Sequence, residues 1–116
     1  MSISLLVFGC KEAREARELK KQHRAEALPM YGMLTYMADA ATFTDCRTLS
    51  RYPVPFKGDW LEVERAYVNM RQHGEPVYIE FRGRLDEEIV DGVTRPAVVI
   101  EEITQMRPDT SCGSQF

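Results

Sequence analysis

The chain has 116 residues, a formal net charge of −3 and 28% charged side chains, enough for one domain with appendages and too few residues for several. Residues 1–29 hold six basic and four acidic side chains, so the remainder carries −5. An acidic domain gains nothing from counterion release on DNA or RNA, which disfavours a nucleic-acid partner, and no apolar run approaches the length of a membrane span.

The first ten residues end in Cys10, one of three cysteines. Val7-Phe8-Gly9-Cys10 looks like a bacterial lipobox, in which a small residue precedes the cysteine that is acylated and becomes the mature N-terminus. Lipidation of Cys10 would place the chain on a membrane through an N-terminal lipid. Ser2 to Phe8 is short for a signal h-region and no Lys or Arg precedes it, so this reading puts the translation start upstream and treats residues 1–10 as a truncated signal. The competing reading is an ordinary first strand from Ile3 to Phe8.

Residues 11–29 form a charged stretch with acids and bases three and four apart. It is rich in strong helix formers but has no apolar face to bury, which predicts a solvated helix or a disordered tether. Pro29 stops any helix there. From residue 30 to 112 the composition turns to aromatic, β-branched and methionine residues, and strands are expected near Tyr31 to Met37, Ala41 to Cys46 and Ser50 to Pro55.

Asp59 stands where a helix cap belongs and Glu62 follows at capping-box spacing. Trp60, Val63, Tyr67 and Met70 then recur at helical spacing, predicting a helix to about Gln72 that Gly74 ends. Val77 to Leu85 alternates apolar and polar residues, Asp91-Gly92 marks a turn, and Ala97 to Met106 supplies the last strand. Three strands, a helix and two strands is the order of an OB-fold, so the fold class expected is mostly β. It would be a small five-stranded Greek-key barrel with one α-helix between strands 3 and 4, residues 113–116 forming a tail.

Catalytic constellations are hard to find, which argues for a non-enzyme without a cofactor. His23 and His73 have no cysteine or carboxylate partner at metal-ligand spacing. Asp86-Glu87-Glu88 and Glu101-Glu102 read as solvated turn and strand-face carboxylates. Met30, Met33 and Met37 offer soft sulfur for Cu(I), against the commoner role of methionine as a packing residue. Tyr78, Arg82 and Arg84 share a strand face and form a candidate ligand platform for oligonucleotide or oligosaccharide, although the acidic surroundings weaken the nucleic-acid reading. Cys46 and Cys112 are either free thiols, buried or reactive, or a bridge, which an exported protein's oxidising compartment favours. A bridge would close a loop of about 66 residues and contribute roughly 4 kcal/mol in the chain-entropy model.

Tyr36 to Thr48 (YMADAATFTDCRT), Arg51 to Val54 (RYPV), Gly58 to Tyr67 (GDWLEVERAY), Glu75 to Arg84 (EPVYIEFRGR) and a terminal Cys112 occur in that order. Together they resemble the C-terminal OB-fold domain of the NlpE/CutF family of bacterial lipoproteins over most of residues 31–112. The resemblance implies an outer-membrane lipoprotein facing the periplasm, linked to envelope-stress signalling and copper homeostasis, that contacts other envelope proteins. By position it pairs Cys46 with Cys112 and makes Cys10 the lipidated residue; Lys11 after Cys10 agrees with outer-membrane sorting. Larger family members carry an N-terminal barrel domain with a CxxC motif. Only roughly twenty residues separate Cys10 from the OB-like part here, so functions of that domain are not expected of this chain.

Overall fold

A computed structural model describes residues 27–70 and 74–115. Five strands, β1 (Leu28–Met37), β2 (Ala40–Asp45), β3 (Arg51–Pro53), β4 (Val77–Val90) and β5 (Val93–Arg107), form one antiparallel sheet in the order β3-β2-β1-β4-β5. Helix α1 (Trp60–Asn69) lies between β3 and β4, and a 3-10 turn (Cys112–Gln115) follows β5. The lipobox with Cys10, the charged tether up to residue 26, His23 and His73 lie outside the described residues.

Alternation decides which residues meet inside the curl of the sheet. Leu34, Phe43, Val77, Ile79, Phe81, Val98 and Ile100 point to one face, and Trp60, Val63 and Tyr67 of α1 close over it. Gly32 makes room: a Cβ there would collide with the Thr44 carbonyl and sit 2.7 Å from the Phe43 ring. The turn between β1 and β2 is a two-residue loop with both central residues, Ala38 and Asp39, at positive φ. Asp91 and Gly92 do the same between β4 and β5, where the sequence signal was plain.

The sheet departs from the expected closed barrel, because β3 and β5 are not hydrogen-bonded neighbours. β3 has three residues and ends in Pro53; Val54 gives its N–H to the Ala41 carbonyl and Pro55 has none, so this stretch offers β5 no row of donors. A side chain spans the gap instead. The Asp59 N–H donates to the Ile100 carbonyl at 2.8 Å, and the Ile103 N–H donates to Asp59 Oδ2 at 3.1 Å. Asp59 does hold the N-cap position, but its carboxylate makes no cap hydrogen bond because β5 has claimed it.

Two further expectations need correction. Pro29 does not precede the sheet; it is the second residue of β1, paired with Arg82. The β4–β5 hairpin is also far longer than the alternation of Val77 to Leu85 implied, with pairing continuous from Leu85↔Val98 to Val90↔Val93. Asp86, Glu87 and Glu88 are therefore strand residues. Along β5, Ile100 turns its carbonyl away from β4, so regular alternation puts Val98, Pro96 and Thr94 in the same outward backbone phase. Pro96 thus presents no N–H at the open edge, a common way of blunting one.

Two substitutions test this account. Gly32→Ala is expected to lose about 1–3 kcal/mol of stability, read as a lower denaturation midpoint, since the colliding atom is backbone and cannot swing aside. Asp59→Ala should lose about 1.5–3 kcal/mol, the scale of a hydrogen bond to a charged group. Asp59→Ser, a good cap residue too short for β5, should be destabilised nearly as much; full stability in the serine variant would make Asp59 a cap and nothing more.

Candidate functional site

Cys46 follows β2 directly, in a turn built by its neighbour. The buried Asp45 carboxylate accepts the Arg47 N–H at 2.7 Å, and the Asp45 carbonyl accepts the Leu49 N–H at 2.8 Å. The Cys46 N–H donates to the Tyr31 carbonyl at 3.1 Å, tying the turn to β1. On the far side of the sheet the chain leaves β5 at Arg107, whose row runs through Tyr78 of β4 and Met33 of β1 to Thr44 of β2. The few residues after Arg107 cross those strands and end at Cys112, which is disulfide-bonded to Cys46 with the Cα atoms 5.3 Å apart.

That crossing changes the reading of the Tyr78, Arg82 and Arg84 platform. Tyr78 points to the opposite face from Val77 and Ile79, where exposure was expected, yet it is 1% exposed on the face the returning segment crosses. Burial, with the Glu80 carboxylate adding, pushes its phenol above the usual tyrosine range. Arg82 donates to the Ala27 carbonyl at 2.7 Å. Arg84 donates through Nε to Glu101 Oε1 at 2.6 Å and through Nη1 to Asp86 at 3.3 Å. Tyr78 is thus buried, and Arg82 and Arg84 are each held by a neighbouring acceptor.

The pairing of Arg84 explains a second misreading. β5 bulges at Glu101, leaving it without a partner in the β4 register, and the extra residue turns its carboxylate into the sheet, where it is 9% exposed. Asp86, which also takes Lys57 at 3.8 Å, has its carboxyl lowered chiefly by the hydrogen bond from the Glu87 N–H. These acids are parts of a built network, not solvated turn carboxylates. Of the methionines, Met30 packs against the core, Met33 is half-buried on the outer face, and Met37 is exposed with its sulfur against Gly74. No group of three or more His, Cys, Asp or Glu side chains among the described residues is placed to hold a metal ion.

Sequence reasoning missed an aromatic cluster at the other end of β1. Tyr36 meets Phe56, Trp60 and Tyr67 edge-on at ring-centre distances of 6.1, 5.1 and 5.8 Å, and Phe56 stacks on Trp60 at 4.8 Å. Beneath the rings, Glu64 accepts from the Tyr36 hydroxyl at 3.0 Å and from Trp60 Nε1 at 3.3 Å. The i,i+4 spacing of Trp60 and Glu64 was legible; the arrival of Tyr36 from β1 and Phe56 from the proline-flanked loop was not.

Residues 24–113 match the family described as NlpE C-terminal OB domain. Lipoprotein NlpE of Escherichia coli strain K12 is 37% identical over 90 residues, which are 75% of this chain and 37% of that protein. The crystal structure of the Cpx pathway activator NlpE from Escherichia coli matches with a TM-score of 0.63 at 32% identity, covering 75% of this chain and 45% of that one. The chain thus spans less than half the length of these relatives. The match takes in β1 through the turn that carries Cys112, and the chain belongs to the NlpE family by its C-terminal OB domain.

Proposed function

We propose that this chain is a non-enzymatic protein-interaction module of the bacterial envelope, tethered by lipid at Cys10 to an outer membrane and facing the periplasm, whose fold depends on oxidation of Cys46 and Cys112. Family membership supports the setting: one relative is named a lipoprotein, and the solved one is described as a Cpx pathway activator. The observation that carries the reading is the placement of the disulfide, which fastens the last described segment across the sheet to the end of β2. Without that bond the segment after β5 has only non-covalent contacts to hold it. A chain that escapes oxidation then loses this fastening, and the module reports the failure through altered contacts with its partners.

The test has a physical arm and a cellular arm. The disulfide closes a sequence separation of 66 residues, worth about 4 kcal/mol in the chain-entropy model. Reductant or Cys46→Ser is accordingly expected to lower the Tm by at least about 15 °C, and an unchanged Tm would sink the oxidation dependence. In the native host, photocrosslinkers on the full chain are expected to yield adducts with other membrane-fraction proteins, in altered pattern for Cys46→Ser. Absence of any adduct counts against the interaction role.

A further inference from the structure

The end of the domain that holds the aromatic cluster also holds a groove of about 330 Å³, with Val54, Pro55, Phe56 and Val90 among its lining and Asp39 and Glu88 within it. Its volume lies at the lower end of the range for specific binding sites, room for a few side chains. Phe56 leaves 49% of its surface open, and it is held still, because its other face stacks on Trp60, which is 4% exposed. An aromatic side chain fixed in place and half-open has the properties of an interface anchor.

The charges are equally uneven. Asp39 sits at the tip of the β1–β2 turn with φ at 63°, exposed, and Glu88 is half-buried on β4. Neither forms an ion pair among the described residues, even though Arg95 is the cross-strand neighbour of Glu88. Farther along the same hairpin, Asp86 and Glu101 each have a cation. The negative field reaches Tyr36, whose phenol is raised first by its hydrogen bond to Glu64, then by burial, with Asp39 adding. Two carboxylates that form no ion pair among the described residues, Glu88 with Arg95 across the strand, lie beside a rigid apolar floor and suit a partner bearing positive charge on an apolar strand.

We propose that this groove docks an extended basic and apolar segment of an envelope protein, a lysine or arginine lying between Asp39 and Glu88 and a neighbouring apolar side chain packing on Phe56 and Pro55. The proposal rests on the interaction role given above and names the chemistry of the partner. Recognition is through side chains, since the nearby edge of β5 is blunted at Pro96. An anionic bilayer is a poor occupant, because the same carboxylates repel it.

The ¹⁵N-labelled full chain, titrated with the synthetic peptide Ac-Gly-Leu-Arg-Leu-Lys-Gly-NH2, is expected to shift amides confined to residues 39–42, 54–56 and 88–90. Its counterpart with glutamate at both charged positions should cause no such shifts. The double variant Asp39→Asn with Glu88→Gln, which keeps a residue tolerant of left-handed backbone at 39, should weaken binding about tenfold, with a smaller loss in high salt. Phe56→Ala should weaken it by a salt-independent several-fold. Equal response to the acidic peptide, shifts centred elsewhere, unchanged affinity in the double variant, or the same shifts from calcium chloride alone would each overturn the proposal. In the crosslinking experiment, adducts undiminished in the double variant would reject the groove and leave the interaction role standing, whereas no adducts from either chain would reject the role itself.

Discussion

Everything in this fold depends on how an open sheet stays curled. A closed barrel holds its shape because each strand has two hydrogen-bonded neighbours, and here the ring is broken between β3 and β5. Two ties of different chemistry do the work of the missing ladder. Asp59 reaches from the start of α1 to both Ile100 and Ile103, holding the loop after β3 against β5. The Cys46–Cys112 bond runs across the other face, from the end of β2 to the chain beyond β5. The core residues then pack inside a shape that those two ties help to maintain, one of them covalent.

The sequence was a good guide where a local rule governs. Trp60, Val63 and Tyr67 gave the helix from its start, Asp91-Gly92 gave the hairpin turn, and alternation gave the inner face of β4. It was a poor guide where a tertiary partner overrides the local rule. Asp59 reads as a cap and is taken by β5; Tyr78 reads as solvent-facing and is buried. Asp86 to Glu88 read as a turn because charge clusters usually are one, yet their strand continues because β5 pairs with it throughout. The Cys46–Cys112 pairing came from family resemblance, since spacing alone left both thiols open.

The candidate site followed the same division. The outer-face triad of Tyr78, Arg82 and Arg84 was visible as a pattern of residue types, but their partners, a carbonyl at Ala27 and a carboxylate delivered by a bulge at Glu101, are products of register. The groove that does keep unpaired charge is assembled from the β1–β2 turn, the loop after β3 and the far hairpin, three places with no sequence relation. Asp39 gave no signal beyond being a turn residue. Its meaning comes from lining one groove with Glu88 and Phe56.

Pro96 bears on how such a module lives beside copies of itself. Proteins confined to a surface meet one another far more often than the same number free in volume, and an unpaired strand edge is a template on which any neighbour can grow a sheet. One missing hydrogen atom at Pro96 interrupts that template at the edge the open architecture leaves bare. The fold therefore keeps the freedom of an unclosed sheet without a continuous row of donors along which copies could zip together.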